Sequence, residues 1–324
     1  MVYIGLIIHF RLWMQKNLAC TSLKKKLDSI QYRALKIITG TIHDVSLSAL
    51  QALTGELPLN HRRRFLCDKF KLYLMSSKQN HPTREVLLDE NFTNLVWKIG
   101  EGPFKLRSGV DDIVEIESRT DLLPKIPEWR LIRPRVSLEL HEKISKKVMS
   151  NDEMKLIALE SIYTTWKGYL HVYTDGSKLE AGRTGAAFYI SHYNVMKEFR
   201  TSDICIMRAE LIAILMALSW INTHITACSV VIFTDSLSAL QMIESYFIKC
   251  GIVNEILSII TILKAKDIAL DFQWIPSHCG IVGNEIVDKA AKKGASKREI
   301  DINIVKTKNE AIATRLNILK ELWL

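Results

Sequence analysis

The feature that most constrains the fold is a helix that is apolar on nearly every side. The pattern predicts this helix over residues 207–222, and its stretch from Leu211 to Trp220 carries no charged residue. Because such a helix has to be covered all round, it requires layers of other elements about it. The longest apolar stretch, residues 211–221, is shorter than the about 18–20 residues that cross a bilayer. We therefore expect a soluble domain with no membrane partner.

Strand and helix patterns alternate around this helix. We predict strands at residues 169–174, 185–190, 195–200, 230–233 and 268–274, and further helices at 236–246, 253–264 and 284–293. Gly294 is expected to end the last helix as its C′ residue. The order of elements predicts an α/β fold in which a mixed five-stranded sheet has helices on both faces.

The remainder of the chain differs in composition from this domain. Residues 1–80 predict a basic, mainly helical region, with helices at 23–38, 45–53 and 62–74. Residues 81–155 hold five of the seven prolines and predict a linker with short ordered pieces. Residues 156–297 would then be the α/β domain, and residues 298–324 a helical tail.

Charge is distributed unevenly along the 324 residues. Residues 1–100 hold 15 Lys and Arg against 7 Asp and Glu, whereas residues 151–300 hold 15 against 16. The basic front includes Lys24-Lys25-Lys26 and Arg62-Arg63-Arg64. Such runs fit contact with nucleic acid and fit a solvated helix face equally well.

Cysteine spacing indicates the redox environment. None of the six cysteines forms a C-x-x-C pair, and no histidine cluster has zinc-site spacing. The apolar residues 1–10 are followed directly by Arg11, with no basic segment before them, so we expect no signal peptide. These features predict an intracellular, reducing compartment and leave nucleus or cytoplasm, and the oligomeric state, open.

Four carboxylates fall where α/β proteins build sites. Asp175 is predicted to end the first strand, Asp235 follows the buried strand, and Asp288 lies on the last helix. Glu210 lies in the first turn of the apolar helix, where an unpaired buried carboxylate would cost several kcal/mol. Clustered carboxylates without histidine or cysteine ligands favour Mg²⁺ or Mn²⁺, and two such ions can drive phosphodiester hydrolysis.

Three of the four acids also have a simpler explanation. Asp235, taken alone, is more typical of a helix N-cap than of a catalytic residue. Ion pairs are the other simple explanation: Asp288 with Lys289 or Lys292, and Glu210 with Arg208. The joint placement of the acids is what favours a metal site.

Local sequences around the acids resemble the four motifs of type 1 ribonuclease H. They are Tyr173-Thr174-Asp175-Gly176-Ser177, Arg208-Ala209-Glu210-Leu211, Phe233-Thr234-Asp235-Ser236, and the stretch from Pro276 through Ser277-His278-Cys279-Gly280 and Asn284 to Asp288. The motifs occur in order over about 130 residues. The resemblance implies a ribonuclease H-like fold and hydrolysis of the RNA strand of RNA–DNA hybrids.

The resemblance also implies a role for each residue. Asp175 would bridge two Mg²⁺ ions, Asp288 would share the ion that activates water, and Glu210 with Asp235 would hold the other. His278 would assist proton movement or product release. Substrate contacts would come from three residues: Gly176 and Ser177 in the RNA minor groove, and Asn284, which could equally be a helix cap.

The sequence departs from the family where bacterial members carry polar contacts to the hybrid. Cys205 and Ile206 precede the second motif, and Leu237 follows the third. The basic helical protrusion of bacterial members also has no counterpart here, since the segment at residues 246–254 is short. These departures predict weak hybrid binding by the isolated domain.

The front of the chain resembles the segment after the polymerase core in jockey-like non-LTR retrotransposon proteins. The similarity covers residues 23–40, 50–59 and 62–64. No Tyr-x-Asp-Asp motif is present, so reverse transcriptase activity is not expected. Three alternatives stay open: an unrelated basic helical region at the front, an inactive nucleic-acid-binding remnant of a retroelement, and another nuclease or transposase on the same fold.

Overall fold

A computed structural model describes residues 21–76, 116–117, 126–140, 149–180, 182–246, 248 and 250–323. The chain falls into two compact units: residues 119–305 form one, and residues up to 118 together with residues from 306 onward form the other. Most of the predicted linker and residues 1–20 lie outside the described residues.

The helices and strands are numbered in chain order. The helices are α1 (Thr21–Thr39), α2 (Leu47–Thr54), α3 (Leu59–Met75), α4 (Asn151–Thr164), α5 (Ile206–His224), α6 (Leu237–Glu244), α7 (Gly251–Ala265), α8 (Val282–Ser296) and α9 (Lys308–Glu321). The strands are β1 (Arg135–Ser137), β2 (Leu170–Lys178), β3 (Thr184–Ile190), β4 (Val195–Thr201), β5 (Ser229–Thr234) and β6 (Ala269–Trp274). A short 3₁₀ helix covers Glu128–Arg130.

The strands form one mixed sheet in the order β1-β6-β5-β2-β3-β4. The β2–β3 and β3–β4 pairs are antiparallel, and the β2–β5, β5–β6 and β6–β1 pairs are parallel. The predicted α/β class and mixed sheet are confirmed, but the predicted count of five strands is wrong. The sixth strand, β1, comes from the proline-containing segment, where three residues give too short a pattern to recognise.

Side chains of successive strand residues enter two separate cores, as the pleat of a strand requires. Val172, Val230 and Ile232 face one core, together with α5, α6 and α7. Tyr173 and Phe233 face the other, together with α4 and α8. Helices therefore cover both faces of the sheet. Because the central strands are packed on both sides, the residues at their ends have fixed positions.

Helix α5 forms the centre of the larger core, which confirms the burial predicted from its composition. Leu211, Ile214, Leu218 and Ile221 are fully buried. Among the described residues α5 is the one helix long and apolar enough to cross a membrane by length and composition, and most of it is buried inside the protein. Its apolar surface is thus accounted for by packing against the sheet and α7.

Two predicted element ends differ from the structure. Strand β2 does not end at Asp175 but continues to Lys178, because Asp175, Gly176 and Ser177 all pair with β3. Helix α8 does not end at Gly294 but runs to Ser296. Gly294 instead permits close packing, since a Cβ there would lie 2.7 Å from the carbonyl oxygen of Phe199 on β4.

The other unit contains α1, α2, α3 and α9. The predicted helical character of the front region is confirmed, and α9 lies within residues 298–324. Helix α2 ends at Gly55, whose φ of 69° is left-handed. Helix α9 packs on α3, where Arg315 Nε donates to Asp68 Oδ2 at 2.5 Å. Both partners of this ion pair are largely buried.

Candidate active site

Strand register places two of the carboxylates side by side. Thr174 of β2 and Thr234 of β5 are partners in a parallel pair. Asp175 directly follows Thr174, and Asp235 directly follows Thr234. Both carboxylates therefore lie where the pairing of β2 with β5 ends, at the carboxyl end of β5. This is the edge at which parallel strands commonly present functional side chains.

Glu210 reaches the same point because α5 approaches β2 very closely. Gly176 makes this approach possible, since a Cβ there would lie 2.5 Å from the backbone nitrogen of Glu210 and 2.8 Å from the carbonyl carbon of Ala209. Glu210 is the fifth residue of α5 and is 6% exposed. The close approach therefore carries a buried carboxylate to Asp175.

The three carboxylates form a compact cluster. Asp175, Glu210 and Asp235 each offer an oxygen, and these oxygens all lie within 4.8 Å of one another. Asp175 Oδ2 and Glu210 Oε2 are buried and accept no hydrogen bond from the described part of the chain. Buried carboxylate oxygens without donors are strongly unfavourable, so this donor set fits a hard divalent cation.

Electrostatics in the cluster follow from burial and mutual repulsion. Burial raises the pKa of Asp175 to about 8, and the charges of Asp235 and Asp288 add to the rise. Burial likewise raises the pKa of Glu210 well above its ordinary value, with further contributions from Asp175 and Asp235. The backbone N–H of Gly176 opposes both increases. A bound cation would reverse this balance by favouring the ionised forms.

Asp235 is held by contacts that the sequence did not reveal. Asn284 Nδ2 donates to Asp235 Oδ2 at 3.2 Å, and Trp274 Nε1 donates to its backbone carbonyl at 3.2 Å. The predicted alternative of Asp235 as a helix cap is wrong, because Ser236 caps α6 and accepts from the N–H of Ala239. Asn284 is not a cap either, since it is the third residue of α8 and the capping position is Ile281.

Asp288 lies near the cluster but outside the group of three. It raises the pKa of both Asp175 and Glu210 through its charge. Lys292, one turn further along α8, donates to Asp288 Oδ2 at 2.6 Å. This ion pair is one of the simple explanations that the i, i+4 spacing suggested, and it raises the pKa of Lys292.

The remaining predicted residues differ in burial and in the elements that carry them. His278 is exposed, with a φ of 55°, in the loop between β6 and α8. Ser177 is buried and pairs with Gly185 across the β2–β3 ladder. Leu237 and Ile206, where the resemblance expects polar contacts, are 40% and 43% exposed.

A parallel sheet edge at which carboxylates converge is compatible with an oxygen-ligand metal site in an α/β protein. The comparison with known families is more specific. Residues 167–296 match the family model of RNase H. The match supports an RNase H domain at residues 167–296, which lie within the compact unit of residues 119–305.

Proposed function

We propose that this protein is a metal-dependent endoribonuclease that hydrolyses the RNA strand of RNA–DNA hybrids. The observation that carries the proposal is the buried cluster of Asp175, Glu210 and Asp235 inside an RNase H domain. Mg²⁺ is the proposed cofactor, as two ions, with Mn²⁺ as an alternative, because the ligands are oxygens alone.

Each carboxylate has a proposed task. Asp175 would contribute to both ions, while Glu210 and Asp235 would hold one and Asp288 the other. The chemistry supplied by a bound divalent cation is Lewis-acid stabilisation of the phosphate and activation of water. Asn284 keeps the carboxylate of Asp235 oriented through its hydrogen bond.

Other residues would act on the proton and on the substrate. His278 is exposed on its loop, and its proposed role is to assist proton movement or product release. Gly176, Ser177 and Asn284 are the proposed substrate contacts. The RNA 2′-hydroxyl in the minor groove is the group that would distinguish RNA from DNA.

The test is cleavage of a labelled RNA–DNA hybrid by the full chain with Mg²⁺ and with EDTA. We expect wild type to cleave the hybrid in Mg²⁺ and not in EDTA, and we expect Asp175→Asn to lose cleavage in Mg²⁺. Asp267→Asn is the matched control, because Asp267 is exposed and its φ of 56° is one that Asn accepts. Preferential cleavage of a DNA duplex would instead indicate another nuclease or a transposase on this fold.

A second candidate is a nucleic-acid-binding remnant that has lost catalysis. The observation in its favour is the 2.6 Å ion pair of Lys292 with Asp288, since an ammonium group there competes with a cation for the carboxylate. Hybrid binding by wild type without cleavage, and cleavage gained in Lys292→Gln, would support this candidate.

We further propose a retrotransposon origin, with residues 1–80 derived from the segment that follows the polymerase core. The helices α1–α3 and the basic composition of this region support the proposal. Its task would be to supply electrostatic affinity for the substrate. Replacing the exposed Lys25, Lys26 and Arg64 with Gln should weaken hybrid binding and reduce its salt dependence, by roughly 0.9 in log–log slope for each phosphate that is no longer neutralised.

A further inference from the structure

A second site lies at the opposite edge of the sheet from the carboxylates. A cavity of about 590 Å³ opens at the amino ends of β2 and β5 and at the β3–β4 turn. Its principal side chains are Tyr163, Lys167, Tyr169, His171, His192 and Tyr193. From Leu170 to Asp175 along β2 is roughly 17 Å at about 3.3 Å per residue, so the two sites are separate.

Aromatic rings line much of this cavity, and two of them are largely exposed to solvent. Tyr163 is 67% exposed and Tyr193 is 52% exposed. The ring of Tyr193 lies 6.1 Å from that of Trp220, which stacks on His224 at 4.3 Å. The cavity wall thus continues as a strip of aromatic surface along the end of α5.

Other side chains fix the cavity wall. His171 Nε2 lies 3.0 Å from the carbonyl oxygen of Trp166, and the His171 ring packs edge-on against Phe233 at 5.3 Å. Tyr169 packs edge-on against Trp166 at 5.2 Å. These contacts make this part of the cavity wall rigid, which lowers the conformational entropy lost when a ligand binds.

The charge of the cavity favours an anionic ligand. The described residues that line it include Lys167 and two histidines, and none of them is acidic. Exposed rings beside a cation are the combination that binds single-stranded nucleic acid, since bases stack on the rings and a phosphate meets the cation. Tyrosine, histidine and tryptophan also retain polar atoms that tolerate water, unlike the aliphatic residues of a buried protein interface core.

We propose that this cavity, named here the tyrosine cavity, binds unpaired nucleotides of a single-stranded nucleic acid. Tyr163 and Tyr193 provide the stacking surfaces, and Lys167 provides the phosphate contact. The ligand can be RNA or DNA, because stacking and phosphate contact do not require the 2′-hydroxyl. The site acts independently of cleavage at the carboxylates.

The test is fluorescence anisotropy of the full chain with labelled oligouridylate and oligothymidylate, in EDTA at low salt. We expect wild type to bind, and Tyr163→Ala/Tyr193→Ala to bind roughly tenfold more weakly for each ring removed. Tyr163→Phe/Tyr193→Phe should retain binding because the rings remain. Trp129→Ala, which removes an 86% exposed ring elsewhere in the same unit, is the matched control.

Further arms separate the sources and the competing occupants. The oligonucleotide that binds more tightly identifies the preferred ligand as RNA or DNA. Lys167→Gln should reduce the slope of log affinity against log salt concentration by roughly 0.7. Equal binding by wild type and the double alanine variant would overturn the proposal. A second result would also overturn it: wild type binds no oligonucleotide and is a dimer by light scattering, whereas the double alanine variant is a monomer. The cavity would then be an interface with a second copy of the chain. Hybrid cleavage with Mg²⁺ by the same variant reports separately on the carboxylate site.

Discussion

The side-chain amide of Asn284 donates a hydrogen bond to Asp235 Oδ2 at 3.2 Å and links helix α8 to the end of strand β5. Both α8 and β5 come from the RNase H domain, yet the two residues lie 49 positions apart in the sequence. Asn284 is 3% exposed. The hydrogen bond therefore holds one carboxylate of the cluster in a fixed orientation.

We expect Asn284→Ala to weaken Mg²⁺ binding by roughly 10- to 100-fold, because groups that orient a metal ligand commonly have effects of this size. Isothermal titration with Mg²⁺ measures the affinity, and hybrid cleavage should fall in parallel. Asn309→Ala, at an exposed helical position, is the control. Unchanged Mg²⁺ affinity in Asn284→Ala would show that this hydrogen bond does not orient Asp235.

The metal-free protein should lose stability as the pH rises. The pKa of Asp175 is raised in the fold from 3.8 to about 8, so the folded state binds this proton more tightly than the unfolded state does. The resulting stabilisation is full below about pH 4 and disappears as the pH passes about 8. Between about pH 5 and pH 8 we expect a loss of about 1–3 kcal/mol in EDTA.

Urea denaturation at several pH values measures this effect. Asp175→Asn should make the profile less steep, with the remaining slope due to Glu210, and should stabilise the metal-free protein near pH 8. Mg²⁺ should restore stability to wild type there. Asp267→Asn serves again as the matched control. A wild-type profile as flat as that of Asp175→Asn would contradict the raised pKa.

Gly176→Ala should separate β2 from α5, because the new Cβ would meet the backbone of Ala209 and Glu210. Overpacking of this kind costs about 1–3 kcal/mol, and the displacement of Glu210 should also reduce hybrid cleavage. The comparison is Gly168→Ala, whose φ of 85° is strained but whose Cβ would have open space. Cleavage by Gly176→Ala equal to that by Gly168→Ala would argue against the close approach.

Trp166 should be essential to the domain although it lies just before the family match at residue 167. It is 2% exposed in the core formed with α4 and α8, and its Nε1 donates to Gln273. Trp166→Ala should lower the free energy of unfolding by about 3–5 kcal/mol. Trp129→Ala, at an 86% exposed ring, should change it by less than about 0.5 kcal/mol. Similar values for the two variants in urea denaturation would refute this role.

Leu237→Asn should increase hybrid affinity, because the family resemblance predicts a polar contact at this position, which is 40% exposed at the start of α6. One added hydrogen bond predicts a roughly 2- to 10-fold gain. Leu156→Asn is the control at an exposed leucine of α4. Anisotropy with a labelled hybrid in Ca²⁺ measures the change, and no gain would mean that Leu237 lies away from the substrate.

The sequence by itself determined the elements and the acids. Periodicity predicted α5 and the five longer strands because burial on fixed faces imposes a spacing of 3.6 or 2 residues. Asp175, Glu210 and Asp235 could be named as candidate ligands because carboxylates beside buried apolar segments need a compensating charge. The short β1 and the ends of β2 and α8 escaped prediction, since three residues carry no period and Gly294 packs rather than terminates.

Only the tertiary structure decided which of these groups meet. The parallel register of Thr174 with Thr234 sets Asp175 beside Asp235, and such registers depend on contacts far apart in sequence. Gly176 acquires its meaning from the backbone of α5 that lies against it. For Asp288 the sequence left a choice between the metal site and an ion pair with Lys289 or Lys292. In the fold Asp288 pairs with Lys292 at 2.6 Å and lies outside the group of three. Residue types fix what chemistry is possible, and packing fixes which residues are close enough to perform it.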